Sequence, residues 1–472
     1  MRRRLVPAIA GWLLISGVCG GCQRDEASPP HLVLIVVDTL RADHLGAYGH
    51  PRPTSPNVDR LARSGTTFTN AFAPSSWTRP SVASLFTSRS PSEHGAVAFD
   101  RALRDDLPTL AERLRDAGYH TLGVSGNFVH VSAQTGLARG FDDFQVLSVH
   151  LAEGEGDVLL RLPADDAPAV ALRAPSAQEV NREVLARLPA NPQVPLFLFV
   201  QYMDPHAGYL PPEPFRSALL PDEHRLDQFP TPTSDYVVER TAGETPDALE
   251  LEHMRSLYDG EIAATDHAIG QLIEALERRG FGSDAVIVVV SDHGEEFGEH
   301  GGLFHGISLH RESLKVPLVI HDARRPTQGE RRDEPVDLLD VAPTLLDLAG
   351  AAPHPDMRGR PLLAGASLPR RDLLAELHPD PIFEDHLRPR ADGVALVRWP
   401  WKTVVARDGS VRGYRLDRDP WEGDPLEPDS IPTELLRAVR EQARQAAAAD
   451  VGRPLEIGGE TRRELRALGY AD

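Results

Sequence analysis

Residues 32–50 read LVLIVVDTLRADHLGAYGH. Six consecutive apolar residues, Leu32 to Val37, end abruptly at Asp38. A strand with one wet face would alternate apolar and polar side chains, so an unbroken run predicts a strand covered on both faces, as in a parallel sheet. The same form recurs at Thr121–Val124, Leu196–Met203, Ala285–Val290 and Val316–Ile320. Between these runs, LPTLAERLRDAG from Leu107 and DGEIAATDHAIGQLIEALERRG from Asp259 carry apolar residues three and four apart and end in glycine, as helices do. Strands and helices in alternation predict an α/β fold built on a large, mostly parallel central sheet flanked by helices.

Two stretches break the alternation, roughly 148–190 and 216–250, and read as surface insertions over the sheet. After VDLLDVAPTLLDLAG the character changes, with short strand candidates at Val394–Trp401 and Tyr414–Leu416. A small C-terminal α+β subdomain accounts for them. The expected organisation is an export signal at 1–22, a linker at 23–30, a catalytic domain at 31–350, the subdomain at 351–430 and a helical tail at 431–472.

The leader MRRRLVPAIAGWLLISGVCGGC has a basic start, a short apolar stretch and small residues before Cys22, the layout of an export signal too short to span a bilayer. The expectation is a periplasmic or cell-surface protein, with a lipid anchor at Cys22 as its one link to a membrane. Cys19 and Cys22 are the chain's only cysteines, so the body beyond the leader holds neither disulfide nor thiol nucleophile. A net charge of -20 over 472 residues repels phosphate backbones and disfavours nucleic acid as a partner.

Polar clusters follow three of the most apolar strands directly: Asp38, then Asp204 with His206, then Asp292 with His293. Each alone reads as an ordinary turn or helix cap. Ligands of open parallel sheets bind at the carboxyl ends of strands, however, so the clusters can converge. Crowded carboxylates repel unless a cation neutralises them, and carboxylates with one imidazole suit Mn, Zn or Ca. The string DHGEEFGEHG lacks the H-E-x-x-H spacing of zinc proteases, and GVSGN around Ser125 does not make the G-x-S-x-G elbow of serine hydrolases.

Seven segments in order carry a resemblance: residues 34–73, WTRPSVASLFTSRSPSEHG (77–95), QYMDPHAGYLPP (201–212), YDGEIAATDHAIGQLIEAL (258–276), SDHGEEFGEHGGLFHG (291–306), VPLVIHD (316–322) and YRLDRDPWEGDPLEP (414–428). Together they resemble the sulfatase family of the alkaline-phosphatase superfamily, from about His31 to Gly350 and again near the C-terminus. The resemblance implies one divalent metal ion on Asp38, Asp292 and His293 with Thr78 beside it, Thr78 as covalent nucleophile, and His206 and His305 facing the ester. Asn127 and His305 stand where lysines usually hold sulfate.

The departures matter. The family's C/S-x-P-x-R, whose first residue becomes formylglycine, here reads Thr78-Arg79-Pro80-Ser81-Val82, and Thr39 replaces a second metal-binding Asp. No formylglycine is expected. A formylglycine hydrate expels sulfate by collapsing to the aldehyde, whereas a threonine ester must be broken by a second attack at the central atom, which phosphorus accepts readily. The expected activity is hydrolysis of a sulfate or phosphate ester of a small molecule, glycan or lipid, phosphorus esters favoured. The alternatives are a phospho-group transferase to a glycan or lipid acceptor, and a sulfatase-fold binding protein without turnover.

Overall fold

The computed structural model describes residues 29–148, 150–151, 160–164, 167–220, 246–365, 367–378, 393–449 and 451–455. The expected leader at 1–22 and the end of the expected tail lie outside the described residues.

The apolar run that opened the reading is β1 (Leu32–Val37), every residue of it buried. Each such side chain taken out of water stabilises the fold by roughly 1.5–3 kcal/mol. In chain order follow α1 (Pro56–Ser64), β2 (Thr66–Phe68), α2 (Thr78–Thr87), α3 (Leu110–Asp116), β3 (His120–Ser125), β4 (Asp143–Val146), α4 (Ala177–Arg187) and β5 (Leu196–Tyr202). The larger unit ends with α5 (Ala248–Arg278), β6 (Val286–Ser291), β7 (Leu318–Asp322), β8 (Glu330–Arg332) and α6 (Val341–Leu348).

The central sheet has eight strands in the order β8-β2-β7-β6-β1-β5-β3-β4. β1 pairs in parallel with both β6 and β5, with Val37 opposite Ser291 and Tyr202. Those three strands therefore end level, and the residues after them emerge side by side. Only β7 runs against the rest, pairing antiparallel with β6 and β2. The expected strand Val316–Ile320 is thus corrected in extent and direction. Pro317 has no N–H to give a ladder, so the run divides there. Val316 pairs with Ala71 in a small separate sheet, and β7 begins at Leu318.

Two further expectations shift. The stretch 148–190 is not wholly a surface insertion, because α4 buries Val180 and Val184 against the sheet. Its start is a capping box: Ser176 Oγ accepts the Glu179 N–H, and Glu179 reaches back to the Ser176 N–H. The helix expected from Asp259 begins eleven residues earlier, at Ala248, where the Asp247 side chain accepts the Glu250 N–H at 2.9 Å.

The C-terminal unit is a four-stranded antiparallel sheet of β9 (Leu373–Leu377), β10 (Gly393–Arg398), β11 (Trp401–Ala406) and β12 (Val411–Arg415). Val394–Trp401 is not one strand, since Trp399-Pro400 turns the chain between β10 and β11. Helix α7 (Thr433–Ala448) closes a second small core, its Leu435 and Val439 buried with Val394, Leu396 and Val405.

Candidate active site

Because β1 and β6 end level, Asp38 and Asp292 leave the sheet as neighbours, and both are fully buried. Holding them costs the turn after β1 some strain. Thr39, a β-branched residue, sits at φ 53°, in the left-handed region. The hydroxyl of Tyr258, on α5, donates to the Thr39 carbonyl at 2.7 Å and accepts the Arg41 N–H at 2.9 Å, and so clamps that turn. Ser291 Oγ accepts the Leu40 N–H at 2.8 Å from the other side.

His293 Nδ1 lies 2.9 Å from the Gly294 carbonyl oxygen. A carbonyl can only accept, so Nδ1 carries the proton and Nε2 presents its lone pair. That lone pair faces Asp38 Oδ1 at 3.5 Å and Asp292 Oδ2 at 3.6 Å. Asp38 Oδ1 and Asp292 Oδ2 are buried without a hydrogen-bond partner. Burial, then the neighbouring Asp292, drives the Asp38 carboxyl well above the ordinary carboxylate range, and burial pushes Asp292 up to about 7. Three lone-pair atoms thus lie within 4.8 Å of one another, starved of positive charge. The residues fit a divalent cation, which would relieve all three at once.

A second set, His44, His50 and Asp259, also gathers its ligand atoms. Its carboxylate already holds Arg52 Nη1 at 2.9 Å and His44 Nδ1 at 2.6 Å, so a cationic partner, Arg52, is built in.

Thr78 is the first residue of α2, and its Oγ1 lies 3.3 Å from His293 Nε2 and 3.5 Å from Asp38 Oδ2. A β-hydroxyl at a helix start would ordinarily cap it. Here the cap residue is Trp77, and the Thr78 hydroxyl turns to the carboxylates instead. Val82 is fully buried, while the Arg79 guanidinium is spent on the carbonyls of Ala98, Phe99 and Val129. The rings of His293, His305 and His206 follow one another at 4.6 and 4.8 Å between centroids. Burial lowers both His305 and His206 well below the ordinary imidazole value, which keeps them neutral.

The structure therefore brings Asp38, Thr78, Asp292, His293, His305 and His206 together. Asn127 joins them in another posture: its amide donates to Asp38 Oδ2 at 2.9 Å. Asp204 does not join. It points toward the start of α4, away from the cluster, and burial raises its carboxyl to about 6. Sequence reasoning missed Glu295, whose Oε1 lies 3.0 Å from His305 Nδ1 and fixes that ring, and it missed Tyr258. The signal for Glu295 was its place two residues after His293 on the same turn.

Comparison with known proteins identifies the family. The sulfatase family model matches residues 30–351. An arylsulfatase of Clostridium perfringens is 27% identical over 364 residues, 68% of this chain and 75% of the relative. The multifunctional alkaline phosphatase superfamily protein PehA of Trinickia caryophylli is 27% identical over 416 residues, 75% of this chain and 80% of the relative. Among solved structures, the phosphonate monoester hydrolase of Agrobacterium radiobacter superposes with a TM-score of 0.67 at 23% identity, over 89% of this chain and 95% of that one.

Proposed function

The chain belongs to the sulfatase family and is an ester hydrolase of that family, and from that premise we propose that it cleaves phosphorus esters through a covalent intermediate on Thr78. The observation that carries this reading is the Thr78 hydroxyl, 3.3 Å from His293 Nε2, at the mouth of the carboxylate cluster in a body without cysteine.

Asp38, Asp292 and His293 would hold the divalent cation. When bound, it draws charge from the ester oxygens and favours the ionised form of a nearby hydroxyl. Thr78 Oγ attacks phosphorus and gives its proton to the bare Nε2 of the neutral His305 or His206; the bond from phosphorus to the leaving oxygen breaks, and the departing alkoxide takes that same proton from the imidazole. Glu295 holds His305 Nδ1, which leaves Nε2 as the working nitrogen. Water then attacks phosphorus, the Thr78–phosphorus bond breaks, and the hydroxyl is restored. The meeting of the Thr78 hydroxyl with Asp38, Asp292, His293 and His305 in one buried cluster supports the reading, and so does a relative described as multifunctional within the alkaline phosphatase superfamily. The basic and apolar leader that ends at Cys22 places this activity, in our reading, outside the cytoplasm and anchored by that cysteine. The substrate is then an ester of a small molecule, glycan or lipid.

The test is a rate comparison on matched aryl sulfate, phosphate monoester, phosphodiester and phosphonate ester. The expected order puts a phosphorus ester first, and Thr78→Ala loses about a thousandfold or more in kcat with metal content unchanged. Faster turnover of the aryl sulfate than of every phosphorus ester would overturn the preference.

A further inference from the structure

His206 also lines a cleft of about 400 Å³, walled by Met203, Asp204, Leu210, Glu261 and Arg182. His206 is common to the cleft and to the reaction centre, so the cleft lies next to where a leaving group would depart on the side of His206. Its walls carry two carboxyls that the displacement does not use. Glu261, on α5, is 5% exposed; its Oε1 accepts the Leu210 N–H at 2.6 Å, and its Oε2 has no partner. Asp204 and Glu261 line the same cleft, and burial first, then the field of Asp204, raises the Glu261 carboxyl well above its ordinary value.

Neither carboxyl forms an ion pair among the described residues. Arg173 at the rim is committed to Glu179 through two contacts of 2.7 and 2.8 Å. A buried acceptor without a partner is costly unless a ligand completes it. A neutral hydroxyl would supply one hydrogen bond and leave the two carboxyls repelling. A primary ammonium supplies three donors and a compact positive charge, and satisfies both.

We propose that this cleft receives the alcohol leaving group of the ester, and that Asp204 and Glu261 select alcohols carrying a primary ammonium. The assignment of the cleft to the leaving group rests on the hydrolase reading of His206 given above; the ammonium preference rests on the cleft alone.

The experiment is calorimetric titration of the full-length protein with 2-aminoethanol, ethylene glycol and glycolate at one ionic strength. The expected result is binding of 2-aminoethanol about tenfold tighter than ethylene glycol, an advantage that falls below about threefold in Glu261→Gln and in Asp204→Asn. Equal binding of the amine and the glycol overturns the proposal. Tightest binding of glycolate overturns it too, since an anion would then be held by Arg182. Where a variant fails to fold, the wild-type series decides alone. Turnover of aryl esters that lack an amine reads the hydrolase assignment separately: activity without amine preference sinks the cleft, and amine preference without activity sinks the reaction.

Discussion

The Asn127 side-chain amide donates to Asp38 Oδ2 at 2.9 Å, and this bond leaves Asp38 Oδ1 as the oxygen turned to His293. Asn127 Oδ1 is itself occupied, since it accepts the His130 N–H at 3.0 Å. The residue is thus oriented by the chain before any substrate arrives, and it aims a proposed ligand.

Asn127→Ala should therefore act on the metal. Partners that orient a ligand typically contribute 10–100-fold in metal affinity, and a loss of about that size is expected, with kcat at saturating metal far less affected. Titration of metal-stripped protein with Mn, Zn and Ca, read by activity and by thermal shift, measures both. An unchanged metal affinity with a raised KM would return Asn127 to substrate binding.

Glu295 and His305 should behave as one unit. Their contact at 3.0 Å fixes the ring, so Glu295→Ala lets it rotate and loses the aimed Nε2 that relays the proton. The expected loss in kcat is about a hundredfold, with KM within about threefold of wild type. His305→Ala should cost a similar amount, and the double variant little more, because a broken unit cannot be broken twice. Full additivity of the two losses would show that Glu295 works apart from His305.

Much of this was legible before any coordinates. The unbroken apolar strands gave the buried sheet, and the polar residue that ended each one marked the mouth, because register alone brings Asp38 level with Asp292. Asp204 obeyed the same sequence rule and went elsewhere. A residue after a strand can turn to either side, and the start of α4 claimed it. The direction of β7 was hidden because an apolar run carries no sign of its sense. Tyr258 and Glu261 were hidden because both lie inside the apolar pattern of a long helix and differ from its core residues only by what faces them across space.

A pH dependence of stability follows from His300. Its Nδ1 lies 2.8 Å from Glu312 Oε1 and its Nε2 lies 3.1 Å from the Glu422 carbonyl oxygen, so both nitrogens face acceptors. The Glu312 carboxylate at that distance raises the imidazole to about 9. A folded value above the unfolded one means stability that is fully present below about 6.5 and lost as pH rises through about 9. The gap in Tm between wild type and His300→Gln should be wide at pH 6 and nearly closed by pH 9.5. A constant gap would show that His300 contributes by packing alone.

A buried charge pair joins the C-terminal sheet to the larger unit. Lys402, one of two lysines in the chain, is fully buried on β11, and its Nζ lies 2.7 and 2.8 Å from the two oxygens of Glu422 and 2.6 Å from the Leu309 carbonyl. Burial alone would raise Glu422, yet Lys402 and His310 together hold it below its ordinary value. The bond to Leu309 ties the C-terminal sheet to the loop that also carries His305. Lys402→Met removes the cation and strands Glu422, which should cost about 3–5 kcal/mol, whereas Lys402→Met with Glu422→Gln leaves no buried charge and should recover much of that loss. If the tie positions the loop, Lys402→Met should also lower kcat at temperatures where the protein remains folded, and protease should cut first between the two units. Unfolding by denaturant, followed by circular dichroism and activity in parallel, distinguishes the cases. Equal stability of the single and double variants would mean that Glu422 finds another cation, and unchanged kcat in the folded single variant would confine Lys402 to stability.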